Sequence, residues 1–299
     1  LTFWPSPRES SLTRSRSAMS THPRHGGLAA HVDARPREEA RNPERDRPGD
    51  LHADVGSTTA GHTAQAEPIR QRVTCRGDLT AADGRRSGAI ARPVIAAGKP
   101  LFIDKPMAGS LADVITIFEL AKAAGVPCFS SSSLRYCSEV QAIRNGTSPL
   151  GKPLSVVAFG PYSTEPHHPD LFWYGVHGVE ILYTIMGTGC KTVTREAPDR
   201  VAGVWADGRK GTYQGKKGYG AEVEGTKGKG TIGKYEGYKP LVVEICKFFK
   251  TKKPPVAAEE TIELFAFMEA ADESKRLGGA PVSIEDTLAK ARKAAAAKK

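Results

Sequence analysis

All fifteen lysine or arginine residues among positions 1–98 are arginine, whereas positions 99–299 hold twenty-one lysines and seven arginines. If the later three-to-one preference for lysine held throughout, fifteen such residues without one lysine would arise in about one chain in a billion, so two unlike parts are joined here. The first part is also short of core-forming residues. Residues 1–87 contain ten Leu, Ile, Val or Phe, about 11%, below the roughly 20% a segment needs to offset its ordering entropy by apolar burial. Runs such as ARPREEARNPERDRPGD, Ala34 to Asp50, follow neither a helical nor a strand period and are broken by Pro and Gly. The expectation for residues 1–87 is disorder or loose packing.

From residue 88 the pattern is orderly. GAIARPVIAAG, Gly88 to Gly98, reads as a short helix ended by glycine, and KPLFID as a compact apolar strand. Next, Ser110 is placed to cap a helix with Asp113 three residues on. Leu111, Val114, Ile115 and Phe118 form its inward stripe, and Gly125 supplies a left-handed stop. VPCFSSSS, Val126 to Ser133, is a second buried strand, so residues 88–149 contain a βαβ unit with parallel strands. Beyond Leu150, short β-prone pieces between Gly and Asp turns predict a largely antiparallel sheet. One helix, Tyr174 to Gly187, interrupts them. Two more, near Leu241 to Lys250 and Glu259 to Leu277, precede a basic tail capped at Ser283. The predicted class is α/β: a partial Rossmann-type parallel sheet in residues 88–149, then an α/β domain with a largely antiparallel open sheet in residues 150–299.

Composition narrows the functional classes. Five scattered cysteines without C-x-x-C spacing argue against zinc or a redox pair and fit a reducing cytoplasm. No apolar run approaches the roughly 18 residues of a membrane span. The net charge of +10 would suit a polyanion, but the basic excess is spread over both parts, which argues against a nucleic-acid partner.

Two stretches carry chemistry. Asp104-Lys105-Pro106 ends the strand PLFI, and open α/β sheets bind ligands beyond the carboxyl ends of their strands. A lysine there can neutralise a cofactor or assist proton loss from a hydroxyl, and the Lys-Pro bond is a candidate for the cis form. A solvated turn lysine is the competing reading. The second stretch, TEPHHPDLFWYGVHGVE, gathers His167, His168, Asp170, Trp173, Tyr174, His177 and Glu180 into seventeen positions, an enrichment typical of binding sites. His177 and Glu180 share a helical face, so the carboxylate can orient the imidazole for a general base. A structural histidine remains the alternative. A metal at His167 and His168 is disfavoured, because the flanking prolines extend the chain and turn adjacent rings apart. The glycines of GTKGKGT, Gly225 to Thr231, fit a hairpin turn rather than a phosphate loop. Tyr213, Tyr219, Tyr235 and Tyr238 read as one face of a sheet.

AAGKPLFIDKPMA, Ala96 to Ala108, resembles the AGKPVFxEKP signature of the Gfo/Idh/MocA oxidoreductases, with Asp104 in place of the usual Glu. YGVHGVE resembles their second-domain histidine helix, and EVEGTKGKGTI their hairpin. The resemblance spans about residues 88–285. It implies a dinucleotide-binding domain followed by a substrate and oligomerisation domain, NAD or NADP as cofactor, and a sugar, inositol or related polyol as substrate. It also implies a homo-oligomer. By the same resemblance Asp104, Lys105 and Pro106 contact the cofactor, and Lys105 and His177 are catalytic. His167, His168, Asp170, Trp173, Tyr174 and Glu180 contact substrate. The family often has Asp four residues before the histidine; Trp173 stands there, leaving Glu180 or Asp170 as the helper carboxylate. Residues 1–98 lack the family's G-x-G-x-x-G turn. The alternative reading is therefore a non-catalytic oligomerising or substrate-binding module that has lost cofactor binding.

Overall fold

The parallel βαβ unit expected from the sequence is present and follows the first described helix. The computed structural model describes residues 84–165 and 168–298, so the expected disorder of residues 1–87 lies, up to residue 83, outside the described residues. Helix α1, Gly84–Ala96, begins four residues before the sequence pattern predicts and gives way to Gly98 at φ 66°. Strand β1, Leu101–Asp104, lies parallel to β2, Cys128–Ser131, in a two-stranded sheet. Between them runs α2, Leu111–Ala123. Ser110 caps it as expected, its Oγ accepting the Asp113 N–H at 3.2 Å and donating to the Asp113 carboxylate at 2.6 Å. The predicted inward stripe proves too narrow: every residue from Leu111 to Phe118 is buried. The cause is packing on several sides, by α1, by α6 (Ala258–Arg276) and by α7 (Ile284–Ala296). Lys298, just past α7, completes the contact with an ion pair to Asp113 at 2.6 Å.

Among the described residues the second sheet has seven strands, in the order β8-β7-β3-β6-β5-β4-β9. They are β3 Pro153–Gly160, β4 Cys190–Ala197, β5 Arg200–Trp205, β6 Lys210–Gly215, β7 Gly220–Gly225, β8 Gly228–Ile232 and β9 Val282–Ser283. Only β3 and β6 pair in parallel; the other neighbours are antiparallel. Gly225 pairs with Gly228 across a two-residue hairpin turn, so the glycine-rich run is the predicted hairpin. Tyr213 sits buried in β6, but Tyr219 precedes β7, and Tyr235 and Tyr238 follow β8, so the four tyrosines do not form one sheet face.

Helix α4, Gly175–Met186, lies across β3 and β6 and is buried along its whole length. Its close approach depends on Gly178, where a Cβ would stand 2.6 Å from the Tyr213 ring. Helix α3, Ser138–Arg144, packs against α4, and α5, Lys239–Thr251, covers β2 through Leu241, Ile245 and Phe248 around Phe129. No described helix is long and apolar enough to cross a membrane. Gly178→Ala is expected to push α4 off the sheet at a cost of about 1–3 kcal/mol, lowering Tm by roughly 5 °C in a thermal melt.

Candidate functional site

Register brings the first catalytic candidate to the second. Asp104 pairs with Ser131 at the ends of β1 and β2, so Lys105 and Ser132 leave the two parallel strands at the same level, on the edge where α/β sheets take ligands. The Lys105-Pro106 bond is cis. The Lys105 ammonium lies over the Tyr174 ring, 5.8 Å from its centroid, within cation–π range. Burial lowers the Lys105 pKa while Asp104 opposes the shift. Asp104 is exposed at the strand end, yet the protein mass around it raises its pKa against the pull of Lys105.

His177, in the first turn of α4, is 8% exposed, and its pKa falls well below the ordinary value. Burial is the main cause and the charge of Lys105 the second. The ring is therefore neutral at physiological pH. It is not oriented by Glu180. Its Nδ1 lies 2.7 Å from the hydroxyl of Ser132, a fully buried residue whose Oγ also accepts the Leu134 N–H at 3.2 Å. Two lone pairs on Oγ suffice for both the Leu134 N–H and an Nδ1–H, an arrangement that leaves the base lone pair on Nε2. Aromatic rings surround the imidazole: Tyr174 at 6.1 Å and Tyr219 at 5.6 Å, with Tyr235 and Tyr238 continuing the row at 6.1 Å steps.

Glu180 turns inward instead. It accepts from Ser131 Oγ at 3.2 Å and from the Nε of Arg135, which lies in the 3₁₀ turn Ser133–Tyr136. Arg135 Nη1 reaches Glu260 of α6 at 2.7 Å, and Arg144 of α3 grips the same carboxylate with both its terminal nitrogens at 2.9 and 2.7 Å. Burial opposes the charge on Arg135, but its two glutamates hold it protonated; burial likewise works against Glu260, and the two arginines still bring its pKa below the ordinary range.

Asp170 is also directed elsewhere, to Arg195 of β4 at 3.0 Å and Lys275 of α6 at 2.7 Å. Those bonds outweigh burial and lower its pKa. Neither carboxylate named from the sequence therefore serves His177. Trp173 stands between the rings of His168, at 4.5 Å, and Tyr174, at 5.7 Å, and His168 Nδ1 bonds Glu165 at 2.7 Å. His167 lies outside the described residues. Among the described residues no cluster of three or more His, Cys, Asp or Glu is placed to hold a metal ion. The sequence reading missed Ser132 and Arg135. The signal available was the run Ser130–Ser133 at the carboxyl end of a parallel strand.

No family model matches the chain. No curated protein matches it by sequence. The fold, in contrast, is shared with solved oxidoreductases of the Gfo/Idh/MocA type. An oxidoreductase from Agrobacterium radiobacter, solved in complex with NAD+, L-tartaric acid and magnesium, aligns over 69% of this chain and 79% of its own, at 16% identity and TM-score 0.54. Myo-inositol 2-dehydrogenase from Lactobacillus plantarum aligns over 66% and 77%, at 15% and 0.53. Aldose-aldose oxidoreductase from Caulobacter crescentus, complexed with glycerol, aligns over 66% and 76%, at 14% and 0.52. At these identities the likeness establishes a dehydrogenase-like fold.

The Asp170 cluster gives a pH prediction. Asp272 of α6 lies 4.0 Å from Arg195, and its pKa rises from the ordinary 3.8 to about 7, through burial first and Asp170 second, against the pull of Arg195 and Lys275. A carboxyl with a raised folded-state pKa favours the fold while protonated, and that stabilisation is lost as pH rises from about 4 through 7. Asp272→Asn should therefore leave Tm nearly unchanged near pH 4 and raise it at pH 8, by about 2 kcal/mol or roughly 4–8 °C, in paired melts across that range.

Proposed function

We propose that the chain is an NAD(P)-dependent oxidoreductase acting on a hydroxyl-bearing carbon of a sugar, inositol or related polyol. The observation that carries this reading is a lysine beside a neutral, oriented histidine at the carboxyl ends of two parallel strands, in a fold shared with an oxidoreductase crystallised with NAD+. The corner fits the nicotinamide end of such a cofactor: Lys105 offers a cation beside the Tyr174 ring, and Asp104 and Pro106 frame it. The spacing G-x-G-x-x-G does occur at Gly228, Gly230 and Gly233, but on hairpin strand β8 rather than at a strand-to-helix turn. When bound, the nicotinamide would accept or return the hydride.

The chain's own residues would handle the proton and the charge. As the carbinol becomes a carbonyl its oxygen must lose a proton, and His177 Nε2 takes it while Ser132 holds Nδ1. Lys105 stabilises the negative charge that develops on that oxygen. His168, Trp173 and Tyr174 line the approach as substrate contacts. One observation favours the alternative, a binding module without cofactor: the amino-acid sequence of residues 1–98 holds no G-x-G-x-x-G spacing.

Fluorescence titration with NADH and NADPH separates the two readings. The enzyme reading predicts saturable binding at about micromolar concentration. With a turned-over polyol in hand, His177→Asn should lower kcat about 100- to 1,000-fold while leaving nucleotide affinity intact. Binding of neither nucleotide would leave the module reading standing.

A further inference from the structure

A cleft of about 540 Å³, separate from the Lys105–His177 corner, is bounded by the 3₁₀ turn, α3 and the first turns of α5. Its wall carries Gln141, Asn145, Lys239 and the two arginines Arg135 and Arg144, which are paired behind it with Glu180 and Glu260; the one carboxylate on the wall itself, Glu244, is paired with Lys247 at 2.7 Å. Arg135 is the informative member. Its side chain is 2% exposed, with Nε held by Glu180 and Nη1 by Glu260, but Nη2 has no hydrogen-bond partner. Leaving a buried, charged donor unmet costs more than an ordinary hydrogen bond contributes, so such an atom calls for an acceptor. Two further features favour a negative one. Lys239 is exposed at the mouth, and no side chain caps the N-terminus of α5, where the helix dipole is positive.

We propose that this cleft binds a phosphate-bearing small molecule, with its phosphoryl oxygens on Arg135 Nη2, Arg144 and Lys239. Guanidinium groups and a helix N-terminus together suit a tetrahedral, multiply charged oxyanion better than a single carboxylate. The cleft volume exceeds what inorganic phosphate fills and lies in the range of small-molecule sites, so the phosphate is carried on a larger body. Pro240 and Val243, on the first turns of α5, supply the apolar wall for that body.

The test uses the full chain and inorganic phosphate, followed by thermal shift and ³¹P line broadening at constant ionic strength, with acetate and chloride as comparison anions. The expected result is a saturating rise in Tm with phosphate at about millimolar affinity, and acetate weaker by about tenfold. Lys239→Glu, at an exposed position, should weaken phosphate by about tenfold. Val243→Trp, where the native side chain is 42% exposed, should fill the cleft and abolish the effect of a larger phosphate monoester. Both variants should keep the wild-type far-UV spectrum and phosphate-free Tm. Absence of saturation beyond the chloride control, or an affinity unchanged in Lys239→Glu, would overturn the proposal. Neither readout depends on nicotinamide binding or turnover.

Discussion

Arg135 joins the parts of the protein that make the candidate site. Its guanidinium, 2% exposed where it meets the cleft wall, bonds Glu180 on α4 and Glu260 on α6, and Glu260 is gripped from its other side by Arg144 on α3. Two arginines and two glutamates balance in charge, and that balance makes burial tolerable. Taking one partner away would strand a buried charge at a cost of about 3–5 kcal/mol, far more than any exposed ion pair contributes. The network therefore fixes one geometry: the 3₁₀ turn after β2 is locked against α4, and with it Ser132 against His177.

That lock gives His177 its chemistry. A histidine three residues from a glutamate on one helix would ordinarily be drawn to it, which raises its pKa slightly. Here the glutamate is committed to Arg135, a neutral serine takes Nδ1, and Lys105 repels a second positive charge. Burial and repulsion act in the same direction, and both favour the uncharged ring. The aromatic row Tyr174, Tyr219, Tyr235 and Tyr238 extends from the imidazole and is drawn from segments outside the regular strands, which lets it follow the site rather than the sheet.

What the sequence revealed was local. The strand–helix–strand unit, the Ser110 and Ser283 caps, the Gly125 stop and the hairpin at Gly225 follow from spacing and turn chemistry within a few residues. Lys105 and His177 stood out because residue type and element position agreed. The pairing of Ser132 with His177, and of Arg135 with Glu180 and Glu260, joins residues far apart in the chain, and no local period encodes it. The same distance misled the assignment of Glu180: i,i+3 spacing offered it to His177, and a more strongly attracting arginine from another element took it. Buried charges are hard to foresee, because their partners are fixed by packing that local pattern does not contain.

The central claim is that packing holds His177 neutral beside Lys105. The most direct measurement is a ¹⁵N NMR titration of the imidazole nitrogens, with His177 assigned by its absence in His177→Asn. An imidazole that titrates well below the ordinary histidine value, with Lys105→Met moving its titration upward, agrees with burial and the Lys105 charge acting together. An imidazole that titrates near the ordinary 6.5, indifferent to Lys105, would contradict it.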